Sequence, residues 1–245
     1  MELKDKVVLI TGGARIGQEV ATYLAERRCH IVLAYRSSRS AAERTAEKVR
    51  SMGRRALTVQ ADFMRERDVR RVMGRIEKEM KRLDVLINMA SVYKKIPLFH
   101  IKSTDWEESL TIHLRAAYHL SHEAARLMRT QKQGRSINFS DWTSRSGRPR
   151  YRDYVPYYVA KTGIIGLTEA LALELAPEIL VNAIAPGPIL PPDSIADEEK
   201  QEVVSATPLK RWGGSLEIAK TVSFLIETDF VTGECIRVDG GRHLY

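Results

Sequence analysis

Tyr157 and Lys161 stand four residues apart in the run Tyr157-Tyr158-Val159-Ala160-Lys161, which opens a stretch with apolar residues at helical spacing: Ile164, Leu167, Leu171 and Leu175. On a helix that spacing places both side chains on one face, one turn apart. A phenol titrates near about 10, too high to exchange protons readily at neutral pH. An ammonium beside it favours the phenolate, lowers that value and makes the tyrosine a usable acid. Y-x-x-x-K alone is a common accident of surface sequence, so its meaning depends on what precedes it.

What precedes it is a glycine turn. The β-branched run Val7–Ile10 leads into Thr11-Gly12-Gly13-Ala14-Arg15-Ile16-Gly17, and apolar residues at Ile16, Val20 and Leu24 then follow a helical period. Glycines there let the backbone approach a pyrophosphate, whose charge a helix N-terminus favours. A tight turn would use glycine anyway; the position between a first strand and a first helix favours a dinucleotide. The second strand ends Ala34-Tyr35-Arg36-Ser37-Ser38-Arg39, without the Asp or Glu that holds a ribose diol. Arg36, Ser37 and Arg15 instead suit a 2′-phosphate through charge-assisted hydrogen bonds, so NADPH is expected over NADH. A plain basic loop would read the same way.

These groups need elements to hold them. Short β-branched runs recur at Val7–Ile10, His30–Tyr35, Ala56–Gln60, Val85–Asn88, Ser136–Phe139, Val181–Ala185 and Ile236–Val238, separated by helical stretches. Continuous apolar strands alternating with helices imply an α/β fold, a single doubly wound parallel sheet with helices on both faces. With no repeat and no linker, residues 1–245 read as one domain, and the proline-rich run Pro186–Pro192 reads as a loop over a site. Apolar content of 44% with 29% charged residues excludes disorder, and no apolar run approaches a membrane helix. Met1–Ile10 lacks a signal peptide's features, and Cys29 and Cys235 form neither a disulfide framework nor a zinc motif, so a cytoplasmic enzyme is expected. The net charge of +8 is partly local, in Arg145, Arg148, Arg150 and Arg152. That cluster fits a nucleic-acid surface, a loop beside a phosphorylated cofactor or an acidic substrate, or a plain solvated loop; no nucleic-acid-binding motif supports the first, which is the minority reading.

Taken together, the motifs resemble the short-chain dehydrogenase/reductases over essentially the whole chain. The matching pieces are TGGARIG at 11–17, Ala61-Asp62, Asn88-Met89-Ala90-Ser91, Tyr157 with Lys161, Val181-Asn182-Ala183-Ile184-Ala185-Pro186-Gly187, and Val238-Asp239-Gly240-Gly241. The resemblance implies a single Rossmann-type α/β domain, usually a homotetramer and otherwise a dimer, and hydride transfer between a nicotinamide and a carbonyl or imine carbon. It makes Tyr157 the proton donor and Lys161 the residue that binds the nicotinamide ribose and tunes Tyr157. It places Asp62 at the adenine and Asn88 and Ala90 along the cofactor, with Pro186, Gly187 and Ile189 bordering the nicotinamide. Gly12, Arg15, Ile16, Gly17, Tyr35, Arg36, Ser37, Ala61, Phe63 and Ser91 complete the expected cofactor set.

The departures from the family pattern are informative. The glycine loop is a residue shorter, with Arg15 and Ile16 where a middle glycine would lie, and Met89 replaces an asparagine. His113 takes the place of an asparagine that supports a proton-relay water; an imidazole can relay protons, and a buried structural histidine fits as well. Asp141 falls where the catalytic serine is expected, although Ser140 is adjacent and could serve. A carboxylate there resembles the pteridine reductases, as does the run Asn88–Tyr93, in which Tyr93 would stack on a pterin. Reduction of a ring C=N needs a proton at nitrogen, which an acid beside Tyr157 would help deliver; a turn-capping aspartate is the plainer reading.

The expected substrate is thus a small molecule, a pteridine-like C=N compound contacted by Ser91, Tyr93, Asp141 and Tyr157. A ketone or 3-oxoacyl-thioester reductase is the alternative, and a catalytically silent NADPH binder the alternative from another class. His119, His122 and Glu123 lack the spacing and the third ligand of a metal site, so no metal is expected.

Overall fold

Seven runs of β-branched and apolar residues form strands: β1 (Val7–Thr11), β2 (His30–Tyr35), β3 (Ala56–Gln60), β4 (Val85–Asn88), β5 (Gly134–Phe139), β6 (Ile179–Pro186) and β7 (Cys235–Val238). The computed structural model describes residues 1–12, 14–147, 150–192 and 195–244, so Gly13, Arg148 and Pro149 lie outside the described residues. The strands make one parallel sheet in the order β3-β2-β1-β4-β5-β6-β7.

Helices cover both faces because successive strand residues point to opposite sides. On one face Val8 and Ile10 of β1 and Ile87 of β4 pack with Val20 and Leu24 of α1 (Ile16–Glu26), Val49 of α2 (Arg39–Ser51) and Val222 of α9 (Ser215–Glu227). On the other, Val7, Leu9 and Leu86 pack with Val72 and Ile76 of α3 (Glu66–Met80), Leu120 of α5 (Ala116–Arg129) and Ala172 of α7 (Val155–Leu175). Helix α4 (Ser103–Leu110) runs into α5 through a wide π turn, Thr111–Arg115. The short helices α6 (Trp142–Arg145) and α8 (Asp197–Ser205) follow β5 and β6.

β5 and β6 each begin two residues earlier than their apolar runs suggest. Gly134 and Arg135 look unlike strand residues, yet the buried Arg135 guanidinium bonds the Ile226 and Thr228 carbonyls and Asp229. A Cβ at position 134 would lie 2.6 Å from the Met128 sulfur, so only glycine lets α5 close onto the strand.

The chain reverses its winding between β1 and β4, and this switch point opens a crevice at the carboxyl ends of the strands. Thr11 ends β1 level with Asn88 of β4, which is level with Asn138 of β5. Thr11 Oγ1 accepts the Met89 and Ala90 amides at 3.0 and 3.1 Å, turning the chain away from the crevice floor.

The opposite end of the same strands is tied by a buried carboxylate. Asp84 accepts the Val7 amide at 2.8 Å and both Nε and Nη2 of Arg82 at 2.9 and 2.6 Å. Replacing Asp84 with Ala leaves the Val7 amide without its acceptor and the guanidinium without its partner. A loss of about 3 kcal/mol in unfolding free energy is expected from urea denaturation, with the slope unchanged. An unshifted midpoint would show that Asp84 ties nothing.

Candidate active site

The glycine turn is built for close approach. Gly12 adopts φ +78°, and a Cβ at Gly17 would lie 2.8 Å from the Gly12 carbonyl, so the first turn of α1 packs directly on the loop. Beside it a cavity of about 240 Å³ is lined by Gly12, Tyr35, Arg36, Ser37, Ala61, Phe63, Ala90 and Ser91, all residues expected of a cofactor site, together with Ser38. A second cavity of about 250 Å³ shares Gly12, Ala14, Met89 and Ser91 with the first and continues to Ile16, Phe139, Tyr157, Lys161, Pro186 and Leu190. The two form one cleft across the strand ends.

Several expected positions resolve differently. Arg15, expected beside Arg36 and Ser37, lines the second cavity, at the other end of the cleft. It adopts φ +53°, and its guanidinium donates to the Pro191 carbonyl at 2.7 Å, linking the glycine turn to the proline-rich loop. Gly187 and Ile189 do not border the cleft. A Cβ at 187 would lie 2.5 Å from Asp239 Cβ, so Gly187 serves the close approach of the C-terminal segment, while Ile189 is buried in the core. Leu190, which the sequence reading missed, takes the bordering place. Asp62 turns its carboxylate to the Met64 amide, while its neighbours Ala61 and Phe63 face the cavity. Asn88 lies under the cleft, donating to Asn138 Oδ1 at 2.9 Å, and its own Oδ1 is buried without a partner.

The reactive groups come together at the ends of β5 and α7. Tyr157 donates its hydroxyl to Asp141 Oδ2 at 3.1 Å. The other carboxylate oxygen accepts the Thr143 amide at 2.8 Å and its hydroxyl, so Asp141 caps α6 while also accepting from the tyrosine. Ser140 borders the second cavity, but its hydroxyl donates to the Lys161 carbonyl at 2.8 Å and not to Tyr157. Asp141 therefore faces the tyrosine where a serine was the alternative.

The expected lowering of the tyrosine by Lys161 is not found. Burial, then the Asp141 carboxylate, pushes the Tyr157 hydroxyl well above its ordinary value. The Lys161 ammonium instead donates to the Phe139 carbonyl at 2.7 Å, 5.8 Å from the centre of the tyrosine ring, and burial brings its pKa down to about 8. The phenol thus keeps its proton at neutral pH and shares it with a carboxylate.

Around this couple lies an aromatic wall. Tyr93 meets Tyr157 edge-on at 4.8 Å and stacks on Tyr154 at 4.4 Å with rings 15° apart. Tyr154 was missed by sequence; its only signal was the density of tyrosines ahead of α7. Of the basic cluster, Arg145 is tied to the Cys235 carbonyl at 3.2 Å, and Arg150 and Arg152 are exposed. Among the described residues no group of three His, Cys, Asp or Glu is placed to hold a metal ion, and no helix is long and apolar enough to cross a membrane.

Comparison with known proteins agrees with this architecture. The family model described as enoyl-(acyl carrier protein) reductase matches residues 13–243. A 3-oxoacyl-[acyl-carrier-protein] reductase of Staphylococcus aureus is 32% identical over 98% of both chains. A solved short-chain dehydrogenase/reductase of Serratia marcescens superposes with a TM-score of 0.91 at 27% identity, covering 99% of this chain and all of its own. FolM alternative dihydrofolate reductase 1 from Brucella canis, solved with NADP, gives a TM-score of 0.91 at 30% identity, covering all of this chain and 97% of its own. With the crevice, the glycine turn and the Tyr157–Lys161 pair in place, the chain belongs to the short-chain dehydrogenase/reductase family and is an oxidoreductase.

His113 is buried in the π turn, where burial, and then the Lys161 charge, lowers its pKa to about 3 from 6.5. The unfolded chain therefore binds one more proton between those values, and stability rises with pH across that window. The contribution of the neutral imidazole is complete above about pH 6.5 and is lost as pH falls towards 3. Between pH 7 and pH 5 the wild type is expected to lose about 2 kcal/mol more unfolding free energy than His113→Gln in urea titrations. Equal losses would show an imidazole that titrates normally.

Proposed function

We propose that the protein is an NADPH-dependent reductase of a planar, pteridine-like C=N substrate. The observation that carries this reading is the Tyr157–Asp141 hydrogen bond, which puts a carboxylate where a ketone reductase would present a serine. The residues fit the cofactor: the glycine turn leaves room for a pyrophosphate, and Arg36, Ser37 and Ser38 border the cavity beside β2, with no carboxylate among its lining residues to repel a 2′-phosphate. The NADP named with the Brucella structure agrees with that choice. NADPH, when bound, supplies the hydride.

The chain's residues supply the proton and the geometry. Tyr157 holds a proton at its hydroxyl, at the edge of the cleft. Donation to a substrate nitrogen leaves oxygen density that the Lys161 charge stabilises, and a proton arriving at Asp141 is one hydrogen bond from restoring the phenol. Asp62, Asn88, Ala90 and Pro186 support or border the cofactor. Tyr93 and Ser91 face the substrate, and a flat ring suits the Tyr93–Tyr154 stack. His113 has both nitrogens engaged locally, which favours support over proton relay.

The 3-oxoacyl reductases among the relatives favour a second reading, a reductase of ketones or 3-oxoacyl thioesters. Ser140, directed at the Lys161 carbonyl, weighs against it. Self-association, into the homotetramer or the dimer that the resemblance implies, is supported by the free sheet edge at β7 and by the exposed Phe224 and Phe230 of the neighbouring segment.

The test is NADPH oxidation with dihydrobiopterin, dihydrofolate, a ketone panel and a 3-oxoacyl thioester, with NADH in parallel. Pterin turnover is expected, with NADPH preferred over NADH by at least about tenfold, roughly one charge-assisted hydrogen bond's worth. Turnover of ketones or thioesters alone would establish the second reading. NADPH binding without any turnover would mark a silent binder.

A further inference from the structure

The loop Met89–Pro97 carries Ser91 to the cleft and Tyr93 to the rings of Tyr154 and Tyr157, without any regular structure of its own until Leu98. Bonds to other parts of the chain must therefore hold it. Thr11 holds its first two amides, and Ile96 donates to the Asp153 carbonyl at 2.7 Å near its end. In its middle stands one buried group, His113.

The imidazole's tautomer follows from its neighbours. The Ser109 carbonyl, 2.8 Å from Nδ1, can only accept, so Nδ1 carries the proton. Nε2 is then an acceptor, and it receives the Val92 amide at 3.1 Å and faces the Ser91 hydroxyl at 2.9 Å. The π turn Thr111–Arg115 carries this ring, which meets the Tyr157 ring edge-on at 5.3 Å. One imidazole thus ties α4, the loop and the face of Tyr157 together. Tyr93 is the next residue after Val92, and its ring fills the space between Tyr154 and Tyr157.

We infer that His113 is a positioning residue: by accepting the Val92 amide it sets where Tyr93 stands against Tyr157, and thereby the cleft's preference for flat substrates. The inference rests on the proposed reading that Tyr93 faces the substrate. His113 touches neither substrate nor cofactor in this role; it acts through the loop.

Two variants separate the two ends of the imidazole. Gln at 113 can place an amide oxygen near the Nε2 position and keep the acceptor for Val92. Asn is shorter, can still donate to the Ser109 carbonyl, and leaves the Val92 amide unpaired. Single-residue amide exchange by NMR is expected to show Val92 protected in the wild type and in His113→Gln, and exchanging at least about tenfold faster in His113→Asn. In kinetics, His113→Asn should raise KM for dihydrobiopterin about tenfold with kcat changed less and NADPH affinity within about twofold, while Gln restores KM to within about threefold. Asn and Gln variants that behave alike in both measurements, or an Asn variant with wild-type Val92 exchange, would overturn the inference. Should the enzyme reduce no pterin, the exchange experiment still decides whether His113 holds the loop, so failure of the substrate reading and failure of the strut are told apart.

Discussion

A phenol that donates to a carboxylate at the edge of a cleft is the interaction on which the site is organised. Tyr157 reaches Asp141 because the apolar helix α7 and the end of β5 meet there, and because Thr143 fixes the carboxylate's other oxygen. Burial and the carboxylate both oppose ionisation of the phenol, so its proton is retained at neutral pH. Lys161, buried at the wall of the cleft, gives its ammonium to the Phe139 carbonyl. Lys161 thus does not lower the phenol in this arrangement, and the site holds a protonated phenol between a carboxylate and a buried ammonium.

The sheet makes that arrangement possible. Parallel strands end together on one side, and the reversal between β1 and β4 leaves a gap there that no crossover fills. Glycine at 12 and 17 keeps the gap open to a large anionic ligand, and Thr11 turns the loop after β4 outward. Arg15, held to the Pro191 carbonyl, ties the glycine turn to the loop on the far wall. The shortened glycine loop thus exchanges a glycine for a clamp across the cleft.

Much of this was legible in sequence, for a physical reason. Strands buried on both faces are nearly continuous apolar runs, so His30–Tyr35 and Val85–Asn88 could be read to the residue, and the half-buried edge strand Ala56–Gln60 was found with the same bounds. The glycine turn and Tyr157–Lys161 carry their chemistry in local spacing. What escaped depends on distant partners. Gly134 and Arg135 belong to β5 only because Met128 and Asp229 wait for them. Whether Ser140 or Asp141 faces the tyrosine is decided by the Lys161 carbonyl, 21 residues away. Tyr154 gains its meaning from Tyr93, and the direction of the Tyr157 shift from its burial and from the Asp141 carboxylate 16 residues away.

The central claim is that the Asp141 carboxylate works with Tyr157 to protonate a ring nitrogen. The most direct measurement is kcat/KM for dihydrobiopterin and for a simple ketone in Asp141→Ser, with NADPH affinity measured alongside. The account predicts a loss of about a hundredfold for the pterin, a typical size for a removed proton-transfer group, with ketone turnover kept or raised and NADPH binding unchanged. Pterin reduction at the wild-type rate in that variant would contradict it and leave Asp141 as the cap of α6.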